Sequence, residues 1–309
     1  MRVIFMGNPE FALPTLHQLI DSHHEVIAVV SNPPKPIGRG RKLRYTAVGQ
    51  YAQDHSIKLI EPDSLKSKEL HNELSALNPD IFVVVAYRIL PQTLISLPKF
   101  GSVNLHASLL PKYRGAGPIQ WALMNGDETT GVTVFQIEKK VDTGDILKQK
   151  QMTINADDNM VTLGTRLCTE GATLVVDALD EIESGTINPI SQRDLSSSPA
   201  PKISKDMTTI NWTWPAEKIH NWVRGLSPFP GMSTLWNGKR IRIFSTRVIH
   251  ETSTESPGKV VKTTQNEIFV NTQKHLLAFS EIQLEGKKRM RVFEFLIGNK
   301  LNAGDELSL

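Results

Sequence analysis

Residues 81–107 read IFVVVAYRILPQTLISLPKFGSVNLHA, and the two strand-like runs in this stretch differ in kind. Residues 81–86 are apolar without a break, the pattern of a strand covered on both faces in the middle of a parallel sheet. In the run 103–107 successive side chains face opposite ways, so Asn104 and His106 share one face while Val103, Leu105 and Ala107 take the other. One face of this strand turns polar just as the strand ends.

Upstream, strands at 3–6, 25–30 and 58–60 alternate with helical apolar spacing at 13–20, 46–55 and 66–77. This alternation predicts an α/β fold with a doubly wound, mainly parallel, Rossmann-like sheet. The first strand runs into Gly7-Asn8-Pro9-Glu10, which matches neither GxGxxG nor the P-loop pattern. Gly7 is therefore read as the tight strand-to-helix turn such a sheet needs. Downstream come a short helix at 118–124, strands at 131–137 and 146–152, and a long helix at 160–184. The Ser- and Pro-containing stretch 191–206 reads as a linker. Beyond it, a helix at 216–225 and short alternating runs at 240–248, 259–262, 267–271, 276–284 and 289–296 predict a small, OB-like β-barrel. The expected organisation is a domain over 1–190, a linker over 191–206 and a second domain over 207–309.

The 309 residues are 39% hydrophobic and 22% charged, as in ordinary soluble globular proteins, and are numerous enough for two cores. The sole cysteine, Cys168, excludes an intrachain disulfide and suits a reducing, cytoplasmic setting; in a helical stretch away from the polar motifs it is expected in the core. The chain opens directly on RVIFMG, with no basic leader before a signal-length apolar core, and no apolar run is long enough to span a bilayer. No membrane association is expected, and Asn211-Trp-Thr213 matches a glycosylation sequon by chance. The net charge of +3 is uneven: residues 201–309 hold 16 Lys and Arg against 10 Asp and Glu, and residues 1–200 hold 19 against 22. His23 and His24 sit at an ordinary helix-to-strand turn, and no His/Cys/Asp set has metal-ligand spacing, so no metal is expected. Trp212, Trp214, Trp222 and Trp236 are expected to pack rather than to stack on bases.

In open α/β sheets ligands bind beyond the carboxyl ends of the strands, where Asn104 and His106 are expected. An isolated Asn/His pair is as often structural, but here a Pro/Gly loop follows, and a second loop, KKVDTGD at 139–145, brings Asp142 and Asp145. A histidine with a carboxylate partner can act near neutral pH as acid or electrostatic stabiliser, and asparagine adds a donor that does not titrate. This combination suits acyl transfer to an amine by direct attack, with no activated Ser or Cys nucleophile.

VNLHASLLPKYRGAGPIQWAL at 103–123 together with VDTGDIL at 141–147 resembles the signature of the folate-dependent formyltransferases. RVIFMGNPEFALPTL at 2–16, NPPKPIGRGRKL at 32–43, APKISK at 200–205 and PAEKIHNWVRGLSPFPG at 215–231 extend the likeness to the members that act on tRNA, over essentially the whole chain. The resemblance implies transfer of the formyl group of 10-formyltetrahydrofolate, a co-substrate, to the α-amino group of methionyl initiator tRNA for translation initiation. It assigns catalysis to Asn104, His106 and Asp142: the first two hold the oxyanion, while Asp142 orients and charges His106 and relays the amine proton through water. It assigns folate binding to Ser108, Leu109, Leu110 and Pro111, and to backbone groups of Arg88, Leu90, Val141 and Asp142 at the pterin edge. Here the strand-end segment reads AYRILP, where tRNA-acting members commonly have AYGxILP.

Residues 31–44 set Lys35, Arg39, Arg41, Lys42 and Arg44 among three prolines and two glycines, a mobile finger suited to phosphate contact. The resemblance implies that this loop enters the acceptor arm, with Arg39 as its key arginine and Arg41 and Lys42 beside it. Lys239 and Arg240, after the Asn237-Gly238 turn, are expected to add tRNA contacts from a basic C-terminal barrel. A monomer is expected. Two rival acceptors, a purine-pathway amine and an amino-sugar nucleotide, would use the same trio, and the arginine finger and basic barrel argue against both. An RNA-binding protein on a degenerate scaffold is argued against by the intact trio.

Overall fold

The computed structural model describes residues 1–37, 40–193 and 195–308, and the chain divides into two compact units. The first comprises Met1–Pro118, Thr129–Thr153 and Gly164–Pro201; the second comprises Ile119–Glu128, Ile154–Leu163 and the chain from Lys202 onward.

The first unit is built on strands β1 (Arg2–Gly7), β2 (Glu25–Val30), β5 (Leu59–Ile60), β6 (Ile81–Val85), β7 (Ser102–His106), β8 (Thr129–Gln136) and β9 (Ile146–Thr153), in the order β5-β2-β1-β6-β7-β8-β9. β3 (Lys35–Ile37) and β4 (Lys42–Arg44) form a separate antiparallel hairpin. The pairs from β5 to β7 are parallel, and β8 and β9 add an antiparallel edge. Every residue of β6 is buried, as its unbroken apolar run predicts, and Ile4, Met6, Ala28, Val30, Phe82 and Val84 pack into one core with Leu70, Leu74 and Leu94.

Helices α1 (Leu13–Asp21), α2 (Ala47–Asp54), α3 (Lys68–Ala76) and α4 (Gln92–Ile95) connect the parallel strands. Two begin where a hydroxyl caps the first turn: Thr46 Oγ1 accepts from Gly49 N–H and Ser67 Oγ from Leu70 N–H. The long α6 (Met160–Ser184) buries Leu167, Cys168, Ala172, Val175, Ala178 and Leu179 along one side. Burial pushes the Cys168 thiol up, so it is not primed as a nucleophile.

The stretch read as the start of a linker is held in the first unit over 191–201. Gln192 is buried, Arg114 N–H donates to Ser198 O at 2.9 Å, and Ala200 N–H donates to Arg114 O at 2.7 Å. Its Ser and Pro composition signals only that it is neither helix nor strand; these partners lie some 80 residues away in sequence and leave no local mark.

The second unit carries β10 (Met232–Trp236), β11 (Lys239–Ile249), β12 (Val260–Thr263), β13 (Ile268–Asn271), β14 (Leu276–Leu284) and β15 (Met290–Arg291), with strand order β10-β11-β14-β13-β12 and β15 on β14. The terminal residues join the two edges of this sheet. Leu235 and Ser308 exchange backbone hydrogen bonds at 3.0 Å, while Val260 N–H donates to Asp305 O and Leu307 N–H to Gly258 O, each at 2.8 Å. The terminal segment thus bridges the two edges of the sheet, as the expected barrel requires. α5 (Pro118–Asn125), apart from its first residue, belongs to this unit with α7 (Ala216–Leu226) and α8 (Val292–Gly298). Met124, Trp212, Ile219, Val223, Trp236, Phe279 and Phe295 share its core, and Trp214 and Trp222 pack on that core, so these tryptophans are packing residues.

Candidate active site

β7 pairs in parallel with β6, Asn104 opposite Val84, and antiparallel with β8, Asn104 opposite Phe135 and His106 opposite Thr133. His106, the last residue of β7, is 6% exposed and lies edge-on to the Phe135 ring. Its Nε2 is 2.9 Å from the carbonyl oxygen of Tyr113. A carbonyl can only accept, so Nε2 carries a hydrogen and Nδ1 is the ring nitrogen left to exchange protons. Nδ1 faces Asp142 Oδ2 at 3.8 Å, an ion-pair distance and not a hydrogen bond. The Tyr113 carbonyl therefore helps to orient the ring, beside the role expected of Asp142.

Asp142 arrives by an indirect route. Because β8 runs antiparallel, its end at Gln136 lies opposite Val103 at the start of β7, and the chain from 137 to 145 doubles back to bring Asp142 to His106. Two close approaches hold this loop. At Gly144 an added Cβ would come 1.7 Å from Gln136 O, so only glycine fits. Gly115, at φ +125, donates its N–H to Asp142 Oδ2 at 2.8 Å, and its own Cβ would meet Ala200 O at 2.6 Å. Gln192 Nε2 donates to Gly144 O at 2.6 Å while its Oε1 accepts from Arg114 Nη2 at 2.7 Å. Gln192 and Tyr113 were missed by sequence reasoning, since one lies in a featureless stretch and the other acts through its backbone.

The Asn104 side chain is half-buried and has no hydrogen-bond partner among the described residues, which leaves its carboxamide donor available. The peptide groups of Arg88, Leu90 and Val141 likewise bond to no other described residue. The Arg88 side chain is engaged, donating to Pro62 O at 2.7 Å and to Tyr87 Oη at 2.8 Å, so only its backbone can serve a ligand. Within the expected folate quartet, Ser108 and Leu110 are buried and hold the segment's shape. Ser108 Oγ donates to Lys112 O at 2.6 Å, and Leu110 N–H donates to Thr133 Oγ1 at 3.1 Å. Leu109 and Pro111 are half-buried, with the peptide bond before Pro111 cis. Exposed Ile89 and Val141 add apolar surface.

Residues 1–179 match the formyl transferase family, and residues 202–300 match the formyl transferase C-terminal domain. The methionyl-tRNA formyltransferase of Caldanaerobacter subterraneus subsp. tengcongensis is 41% identical over 306 residues, covering 98% of this chain and 99% of its own. That of Thermodesulfovibrio yellowstonii is 43% identical over 303 residues, covering 98% and 97%. The chain belongs to the methionyl-tRNA formyltransferase family. The fold agrees with that of the N-formyltransferase from Helicobacter canadensis, solved in complex with folinic acid and dTDP-3-aminofucose, at a TM-score of 0.69 and 20% identity, over 94% of this chain and 100% of that one.

For a member of the methionyl-tRNA formyltransferase family the placement of the basic residues matters. The 31–44 segment is in its outer part the β3–β4 hairpin, and its base is tied to the turn after β1. There Ser31 Oγ donates to Gly7 O at 2.8 Å and Asn32 N–H to Asn8 Oδ1 at 2.9 Å. Arg41, Lys42 and Arg44 are exposed on it, and Arg39 lies outside the described residues. Lys239 and Arg240 are exposed at the start of β11, just past the Asn237-Gly238 turn in which both residues have positive φ. Among the described residues no helix is long and apolar enough to cross a membrane.

Proposed function

We propose that this chain transfers the formyl group of 10-formyltetrahydrofolate to the α-amino group of methionyl initiator tRNA, giving N-formylmethionyl-tRNA. The observation that carries the proposal is the assembled trio of Asn104, His106 and Asp142 in a chain about two-fifths identical to named methionyl-tRNA formyltransferases over its whole length. The folate supplies the formyl carbon. Asn104, with its unengaged carboxamide, donates to the formyl oxygen as charge builds there. His106, fixed by Tyr113 and paired with Asp142, adds the second electrostatic contact. The amine attacks the formyl carbon, the bond from that carbon to the folate nitrogen breaks, and the proton lost by the amine passes by way of water and Asp142 to the leaving nitrogen. The free peptide groups of Arg88, Leu90 and Val141 suit the donor and acceptor edge of a pterin, with Leu109 and Pro111 beside it.

Arg39, Arg41 and Lys42 in the 31–44 sequence stretch, and Lys239 and Arg240 on β11, contact the tRNA in this reading. The excess of 16 basic over 10 acidic residues in 201–309 supports it. We place the enzyme in the cytoplasm, in keeping with its single cysteine, and read it as a monomer because one chain carries the complete trio. Formylation assayed separately with charged initiator tRNA, a purine-pathway amine and an amino-sugar nucleotide tests the assignment. Turnover only with the tRNA is expected, and turnover with either other acceptor would replace it.

A further inference from the structure

His23 and His24, which in sequence look like an ordinary turn, face Asp180 and Glu183, one helical turn apart at the end of α6. His23 Nε2 lies 3.5 Å from Asp180 Oδ1 and 3.4 Å from Glu183 Oε2, and His24 Nε2 lies 3.0 Å from Asp180 Oδ1. His23, His24 and Glu183 offer ligand atoms within 4.8 Å of one another, somewhat wider than the roughly 3.3 Å between donors around a tetrahedral Zn2+. The His24 side chain is fully buried, and its Nε2 makes no hydrogen bond, because the contact with Asp180 lacks hydrogen-bond geometry. A buried ring N–H left without a hydrogen bond is costly, and exchanging that hydrogen for a metal ion removes the cost.

We propose that His23, His24 and Glu183, with Asp180 beside both rings, form a site for one divalent transition-metal ion, Zn2+ by its donor set, which staples the last turn of α6 to the turn between α1 and β2. Two imidazoles with a carboxylate suit Zn2+ rather than Mg2+ or Ca2+, which prefer all-oxygen shells. Glu183 also pairs with the Met1 ammonium at 3.1 Å, so Asp180 supplies the negative charge left to hold a cation. The Met1 amino group donates to His24 Nδ1 at 3.1 Å, which places the ring hydrogen on Nε2 in the free protein. On coordination that hydrogen leaves to solvent and Nδ1 takes one from the Met1 ammonium, so one proton is released and the neutral amine then accepts from Nδ1–H. The site precedes the amino end of β2, at the opposite end of the parallel sheet from His106 at the carboxyl end of β7, so its role is structural.

The test is Zn2+ titration by calorimetry, with Co2+ absorption as a report on geometry, on the untagged full chain after chelator treatment. Glu217, His250 and His275 on the second unit also come within mutual ligand reach, so His250→Ala is the control for binding there. We expect at least one equivalent of Zn2+ bound, a four-coordinate Co2+ spectrum and a raised melting temperature, all kept in His250→Ala. In His23→Ala and in Asp180→Asn/Glu183→Gln, affinity should fall by at least the ~10-fold that even outer-shell partners cost. These three side chains are largely exposed, so the variants are expected to fold. No Zn2+ binding in the wild type, binding equally tight in both cluster variants, or complete loss in His250→Ala would overturn the proposal.

Discussion

His106 and Lys239 both serve the proposed reaction as basic side chains, yet their surroundings are opposites. His106 is buried at the end of β7, its ring set by one carbonyl and one carboxylate, and that carboxylate is in turn set by the N–H of a glycine with no room for a Cβ. Lys239 stands exposed beside a two-residue turn, among other cations whose sum matters more than their individual positions. In the first unit function resides in exact placement, and a small displacement is expected to cost orders of magnitude. In the second it resides in total charge, and single losses are expected to be graded and sensitive to salt.

The largest contrast is expected from His106→Ala. Losing one group that stabilises the developing oxyanion costs about 2.7–4 kcal/mol, so kcat should fall by roughly two to three orders of magnitude with folate affinity little changed. Pre-steady-state formylation with saturating folate measures it, and wild-type turnover would remove His106 from the chemistry.

Asp142→Asn should follow at about 100-fold in kcat, the lower part of the range for a positioned acid or base. The amide oxygen can still accept from Gly115 N–H, so the loop keeps its shape and only the charge is lost. Full activity would show that the carboxylate does no more than hold Gly115; a loss of folding, read by circular dichroism, would show that the loop depends on its charge.

The second unit is also expected to be sensitive to acid. His220, half-buried on α7 with its Nδ1 2.8 Å from Thr246 Oγ1, has its pKa lowered from 6.5 to about 4, first by burial and then by the nearby Arg224. Below pH 6.5 the unfolded chain therefore binds a proton that the folded chain refuses. Stability falls as pH drops from about 6.5 and stops falling through this group near 4, by up to about 3 kcal/mol. Denaturant titrations of the wild type and His220→Gln between these pH values should show a shallower decline in the variant. Equal slopes would place the acid sensitivity elsewhere.

The smallest effects belong to tRNA binding. Lys239→Ala should weaken binding modestly and make its salt dependence shallower by roughly one phosphate contact. Arg39→Ala should instead reduce formylation and the preference for initiator over elongator methionyl-tRNA by more than its effect on binding, because a misplaced amine penalises the transition state. Identical losses and salt slopes for the two variants would erase the distinction, leaving the 31–44 stretch as one more positive patch.

Local patterns carried much of this molecule. The unbroken apolar run in β6 established a strand covered on both faces, and the two-residue period of β7 placed Asn104 and His106 on one face, because both patterns arise from backbone geometry within a few residues. Short alternating runs announced the barrel for the same reason. What tertiary structure alone decided involves partners far apart in sequence. The reversal of β8, the return of the Asp142 loop, the hold of Gln192 on that loop, the bridging of the sheet edges by residues 305–308 and the meeting of His23 and His24 with the end of α6 are all of this kind. Each depends on which segments share a hydrogen-bond ladder or a packed surface, a choice made by the free energy of the whole core, so no window of neighbouring residues records it.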